Sequence, residues 1–74
     1  MEIIIFGQLT DITGGNIELN NIADTNELIA ELNKKYPQLI NAKYVIAVNK
    51  KIISNNTILN NESSIALLPP FSGG

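Results

Sequence analysis

The chain has 74 residues, 45% of them hydrophobic, and a formal net charge of −2. So short a chain buries only about 60% of the surface its unfolded form exposes, too little to frame both a core and a deep catalytic pocket. Cysteine and histidine are absent, which excludes disulfides, thiolate metal sites, a Cys nucleophile and the usual general base near neutral pH. Any chemistry is therefore expected to be shared with a larger partner.

Glu2 to Phe6 reads as the first strand, rich in β-branched residues, with Ile3 and Ile5 on one face and Glu2, Ile4 and Phe6 on the other. Gly7 ends the run and Gly14-Gly15 mark a turn. Asn16 to Leu19 alternates polar and apolar residues, as a half-buried strand does, and is expected to form a hairpin with the first strand. The one good helix follows. Asp24 stands at its cap with Glu27 three residues on, and Leu28, Ile29, Leu32 and Tyr36 form an apolar stripe. Lys34-Lys35 suit the negative end of the helix dipole, and Pro37 stops the helix.

Tyr44 to Val48 reads as a third strand, and Asn49-Lys50-Lys51 as a turn into a short strand at Ile52-Ile53. Thr57-Ile58-Leu59 is a short apolar connection. Asn60-Asn61-Glu62 is a further turn before the last strand, Ser64 to Leu68. The pairs Asn20-Asn21, Asn55-Asn56 and Asn60-Asn61 fall where turns are expected and are given no function. Strand, strand, helix, strand, short strand, strand is the order of the ubiquitin-like β-grasp. The expected class is thus α+β, a mixed sheet of four to five strands covered by one main helix. Residues 1–68 form the domain and 69–74 an extended tail.

Five scattered lysines against seven acidic residues do not make a nucleic-acid surface. Ile3-Ile4-Ile5-Phe6 is too short for a membrane span or a signal peptide, so no membrane partner is expected and the protein reads as cytoplasmic.

The informative stretch is Ala66-Leu67-Leu68-Pro69-Pro70-Phe71-Ser72-Gly73-Gly74. Six residues follow the last strand, enough to span roughly 20 Å when extended. Pro69-Pro70 favour a stiff root, and Gly73-Gly74 carry no Cβ and fit a narrow channel. A bare Gly-Gly end also fits a frayed terminus. The Leu-Leu-Pro-Pro-x-x-Gly-Gly context separates the two readings.

That ending resembles the small subunits of molybdopterin synthases. Ile5-Phe6-Gly7-Gln8 and Ala47-Val48-Asn49 are similar to the same family. Phe71, where many relatives carry a smaller aliphatic residue, is a departure, as is the turn Asn60 to Ser63, which lacks the family's Asp-Gly pair. The resemblance implies a sulfur carrier that binds no cofactor itself. Gly74 would be adenylated with ATP by an adenylyltransferase related to ubiquitin-activating enzymes, and converted to a thiocarboxylate. The tail, Pro69 to Gly74, would enter the large synthase subunit, two carriers serving one heterotetramer. Sulfur would pass to cyclic pyranopterin monophosphate. It further implies partner contacts at Phe6, Ile52 and Leu68, and at Pro69, Pro70, Phe71 and Ser72 of the tail, with Gly73 and Gly74 as the reacting end. The sulfur carrier of thiamine thiazole synthesis and a ubiquitin-like protein modifier share the Gly-Gly end and stand as alternatives.

Overall fold

The computed structural model describes residues 1–70. Strand β1 (Glu2–Ile5) is followed by a 3-10 turn (Gly7–Leu9), a single helical turn α1 (Thr10–Thr13) and strand β2 (Ile17–Glu18). Helix α2 (Thr25–Lys35) leads into a second 3-10 segment (Pro37–Asn41), then β3 (Val45–Val48), β4 (Lys51–Ile53) and β5 (Ile65–Leu68). The five strands form one mixed sheet in the order β2-β1-β5-β3-β4. Only the central β1·β5 pair is parallel. Helix α2 serves as the cover that an otherwise half-wet sheet requires, so the α+β, β-grasp expectation holds.

The register explains the core. Ile3 pairs with Ile17 and Ile65, Ile5 and Ile46 both pair with Leu67, and Val48 pairs with Ile65. Paired residues share a face, and every one of these side chains is buried. Leu28 and Leu32, one helical turn apart on α2, complete the layer with no exposed surface, and Ile29 and Tyr36 pack at its margin. Truncating a Leu in such a position to Ala costs about 2–5 kcal/mol, a large share of the stability of a domain this size.

The first turn of α2 shows where a helix finds partners for its unpaired N–H groups. The Thr25 N–H donates to the Thr57 carbonyl (2.9 Å) and the Leu28 N–H to the Asp24 carbonyl (3.0 Å). The Asn26 N–H donates to Asn56 Oδ1 (2.9 Å) and the Glu27 N–H to Asp24 Oδ1 (2.9 Å). Asp24 thus caps the helix as its spacing implied. Asn56 is a second cap from thirty residues away, and only the folded chain brings it there.

Three segments differ from their sequence-based reading. The link between β1 and β2 is helical rather than a simple hairpin turn, although the strands do pair antiparallel. Its Leu9 is buried and Ile12 packs on the core, and Gly14 closes α1 in the left-handed conformation at φ 79°. One turn is too short to show helical periodicity. Pro37 opens a 3-10 segment instead of simply ending α2, and its Leu39 is buried. Lys51 belongs to β4 rather than to the turn. Asn49 and Lys50, both at positive φ (52° and 70°), make a two-residue connection closed by the Val48–Lys51 pair, the type I′ geometry that matches strand twist.

Candidate functional site

Among the described residues nothing covers the side of the sheet away from α2. Ile4 pairs with Ala66, Ala66 with Ala47, and Ala47 with Ile52, so one row of apolar residues crosses four strands. Beside that row, Val45 pairs with Leu68. Phe6 stands two residues beyond Ile4 in extended conformation, and its N–H donates to the Leu67 carbonyl (3.0 Å). Phe6 and Leu68 are therefore neighbours at the end of the two central strands.

Exposure is graded across this face. Phe6 is 45% exposed, Ile52 53% and Ile4 38%, whereas Leu68 and Ala66 are half-buried and Ala47 is buried. The three large residues singled out from the sequence, Phe6, Ile52 and Leu68, all lie on this face. Ile4 and Val45 belong with them; Ile4 had been placed there by alternation, but Val45 shows only through its register with Leu68. An exposed apolar face of this kind is a candidate interaction surface.

The chain leaves this face at Pro69. Proline has no N–H to extend the ladder and holds its φ near −65°, and residues before proline favour extended backbone. Leu68 and Pro69 each precede a proline, so the strand direction carries into Pro69-Pro70. Both prolines are exposed. Across from them Gly7 adopts φ 62°. A Cβ built on Gly7 would lie 2.8 Å from Pro69 Cγ and 3.4 Å from its Cδ. The sequence showed Gly7 as a strand end only; the signal it lacked was the neighbour across the sheet. Phe71, Ser72, Gly73 and Gly74, the remaining tail residues, lie outside the described residues.

The rest of the surface has a different character. Asn49 joins the β3–β4 turn to the start of β5: its N–H donates to the Ser64 carbonyl (2.8 Å) and its Oδ1 accepts from the Ser64 N–H (3.0 Å). A cleft of about 310 Å³ lies between the start of α2 and the end of β4, floored by Ile29, Tyr44 and Ile53. Its polar rim, Thr25, Asn26 and Asn56, is engaged in the helix cap. Burial pushes the Tyr44 hydroxyl above its ordinary pKa. Among the described residues no group of three or more acidic, His or Cys side chains is placed to hold a metal ion. The candidate site is thus one apolar sheet face and the tail that starts at its edge.

Residues 3–74 match the sequence model of the ThiS family. The chain is 24% identical to the molybdopterin synthase sulfur carrier subunit of Arabidopsis thaliana, an alignment covering all of this chain and 82% of that protein. In structure it is similar to a chain in the complex of subunits 1 and 2 of molybdopterin-converting factor from Helicobacter pylori 26695. That match has a TM-score of 0.72 and 33% identity, and covers 99% of this chain and 96% of the other. The fold is also that of SAMP1 from Haloferax volcanii, with a TM-score of 0.74 at 19% identity over 99% of this chain and 97% of that one. The chain belongs to the ThiS family, and within it resembles the molybdopterin synthase sulfur carriers.

Proposed function

We propose that this protein is the sulfur-carrying small subunit of a molybdopterin synthase and that Gly74 is its working residue. The observation that carries the reading is the coincidence of two features. An apolar sheet face centred on Phe6 and Leu68 is exposed, and the tail ending in Gly73-Gly74 starts at its edge. A partner that covers the face receives the tail as a consequence.

The chemistry follows from what the chain has and lacks. The Gly74 carboxylate is a poor electrophile. Its oxygen attacks the α-phosphate of ATP on an activating enzyme, pyrophosphate leaves, and the acyl adenylate then carries AMP as a good leaving group. Hydrosulfide displaces AMP and, on losing its proton, leaves a thiocarboxylate. The ionised thioacid is the reactive form for the reason that thiolate, not thiol, is the reactive form of cysteine. In the large subunit the thiocarboxylate sulfur forms a bond to a carbon of the cyclic pyranopterin precursor, and a carbon–oxygen bond at that carbon breaks, the oxygen leaving with a proton. The bond from sulfur to the Gly74 carbonyl carbon is then cleaved by water, which restores the carboxylate. Two such deliveries supply a dithiolene, in keeping with two carriers in a heterotetramer. A chain without Cys or His carries sulfur on its main-chain terminus and leaves acid–base catalysis to its partners.

Reconstitution tests the reading. The thiocarboxylated chain, mixed with the large synthase subunit and the pyranopterin precursor, is expected to yield the dithiolene product and to return to the carboxylate. Binding without sulfur transfer, or transfer only with the thiazole-forming machinery, contradicts it.

A further inference from the structure

Strands β1 and β5 run parallel in register from Ile3–Ile65 to Ile5–Leu67, and continuing that register brings Gly7 to Pro69. At this point the two segments approach so closely that a Cβ on residue 7 would force a shift. A Cβ on Gly7 would lie 2.8 Å from Pro69 Cγ, and, its own chain neighbours and helical turn aside, Pro69 is the only group among the described residues within 4 Å of it. The pyrrolidine ring is not the free end of a flexible side chain. It is bonded to the backbone at both ends, so beyond the short travel that ring pucker allows Cγ, it moves only with the backbone. We propose that Gly7 is a positioning residue for the C-terminal tail: its bare Cα seats the Pro69 ring and so sets the direction in which Pro70 leaves the domain. This inference rests on the sulfur-carrier reading for its functional consequence, but not for the contact itself.

The geometry gives the expected size of the effect. Ordinary carbon–carbon contact is about 3.5–4.0 Å, so a side chain at position 7 displaces the Pro69 ring by roughly 0.7 Å or more. The displacement occurs at the root of a stiff Pro-Pro segment and grows along it. A misplacement of about 1 Å at a reacting group lowers a rate by up to about a hundredfold. Gly7 and Pro69 are both exposed, so the change does not reach the core. Gly7 also sits at φ 62°, where an Ala is strained but an Asn is tolerated. That difference separates backbone strain from the Pro69 contact.

The experiment uses the full chain as wild type, Gly7→Ala, Gly7→Asn, Pro69→Ala and the Gly7→Asn/Pro69→Ala double variant. NMR cross-relaxation between Gly7 Hα and the Pro69 ring protons is expected in the wild type; its absence overturns the proposal whether or not the chain carries sulfur. With each variant thiocarboxylated, affinity for the large subunit and single-turnover sulfur transfer are measured separately. Gly7→Asn is expected to slow transfer about ten- to a hundredfold while affinity changes less than about threefold. Pro69→Ala is expected to slow transfer by itself, because it removes the ring that Gly7 seats, and adding Gly7→Asn to it is expected to cost less than about threefold more, because the ring atoms that the new Cβ meets are gone. Equal rates for wild type and Gly7→Asn overturn the proposal, as does a Gly7→Asn penalty as large in the Pro69→Ala background as in the wild type. Slowing by Ala with full activity in Asn assigns the effect to backbone strain and also overturns it. A wild-type chain that shows the contact but transfers no sulfur refutes the carrier reading instead.

Discussion

Asn56 Oδ1 accepts hydrogen bonds from the Asn26 N–H at 2.9 Å and from Thr25 Oγ1 at 3.2 Å, so a loop residue thirty positions downstream helps to cap α2. Thr25 is 2% exposed, and its hydroxyl in turn accepts from the Thr57 N–H at 2.9 Å. The loop after β4 and the helix are thereby fixed to each other. Removing a capping oxygen costs about 1 kcal/mol. Asn56→Ala is expected to destabilise the domain by about 1 kcal/mol, read as a lower urea midpoint with unchanged m-value. An unchanged midpoint would show that water replaces the cap without loss.

Lys50 offers the opposite case. It occupies the second position of the β3–β4 turn at φ 70°, a conformation that disfavours a side chain by about 1–2 kcal/mol. Lys50 is exposed. Lys50→Gly gives the Asn-Gly pair preferred in type I′ turns and is expected to stabilise the domain by up to about 1 kcal/mol, the larger chain entropy of unfolded glycine offsetting part of the gain. Chemical denaturation measures this, and a destabilised variant would contradict the assigned turn.

The open sheet face predicts a separation between folding and binding. Phe6→Glu and Ile52→Glu place a carboxylate where the free protein is already wet, so cooperative unfolding is expected to change little. A partner covering each side chain gains roughly 1.5–3 kcal/mol from its burial, and the carboxylate must also be desolvated. A combined penalty of about 3 kcal/mol lowers affinity for the large synthase subunit more than a hundredfold. Leu68 is half-buried, so Leu68→Glu is expected to cost folding stability as well. Normal binding of folded Phe6→Glu by calorimetry would place the docking surface elsewhere.

Tyr44 supplies a pH signature. Burial raises its hydroxyl pKa from the ordinary value near 10, so the folded state holds the proton more tightly than the unfolded state. The resulting contribution is fully present below pH 10 and is lost as pH rises through the folded-state value. Stability of the wild type is expected to fall above pH 10 more steeply than that of Tyr44→Phe. Parallel curves for the two proteins would refute the assignment.

Period-two alternation was enough to separate Ile3 and Ile5 from Ile4 and Phe6, because one face of the sheet is covered and the other is not. The Asp24 cap and the Leu28–Leu32 stripe were likewise local signals. The missed features are short or non-local. One helical turn at Thr10–Thr13 has no period to detect, and the 3-10 segment at Pro37 satisfies a proline's preference for a first helical position. Asn56 as a cap and Gly7 as the seat of Pro69 depend on contacts across 30 and 62 positions (Asn26 to Asn56 and Gly7 to Pro69). No window of sequence contains either pair. The face and the tail root were legible in outline, whereas the contact that joins them was not.

The central claim is that Gly74 carries sulfur, and the most direct measurement is the intact mass of the chain after incubation with its activating enzyme, ATP and a sulfur donor. One oxygen exchanged for one sulfur, localised by fragmentation to Gly74 and lost in a chain lacking Gly74, is the expected result. An unchanged mass in the presence of an activating enzyme that forms the Gly74 adenylate would contradict the account.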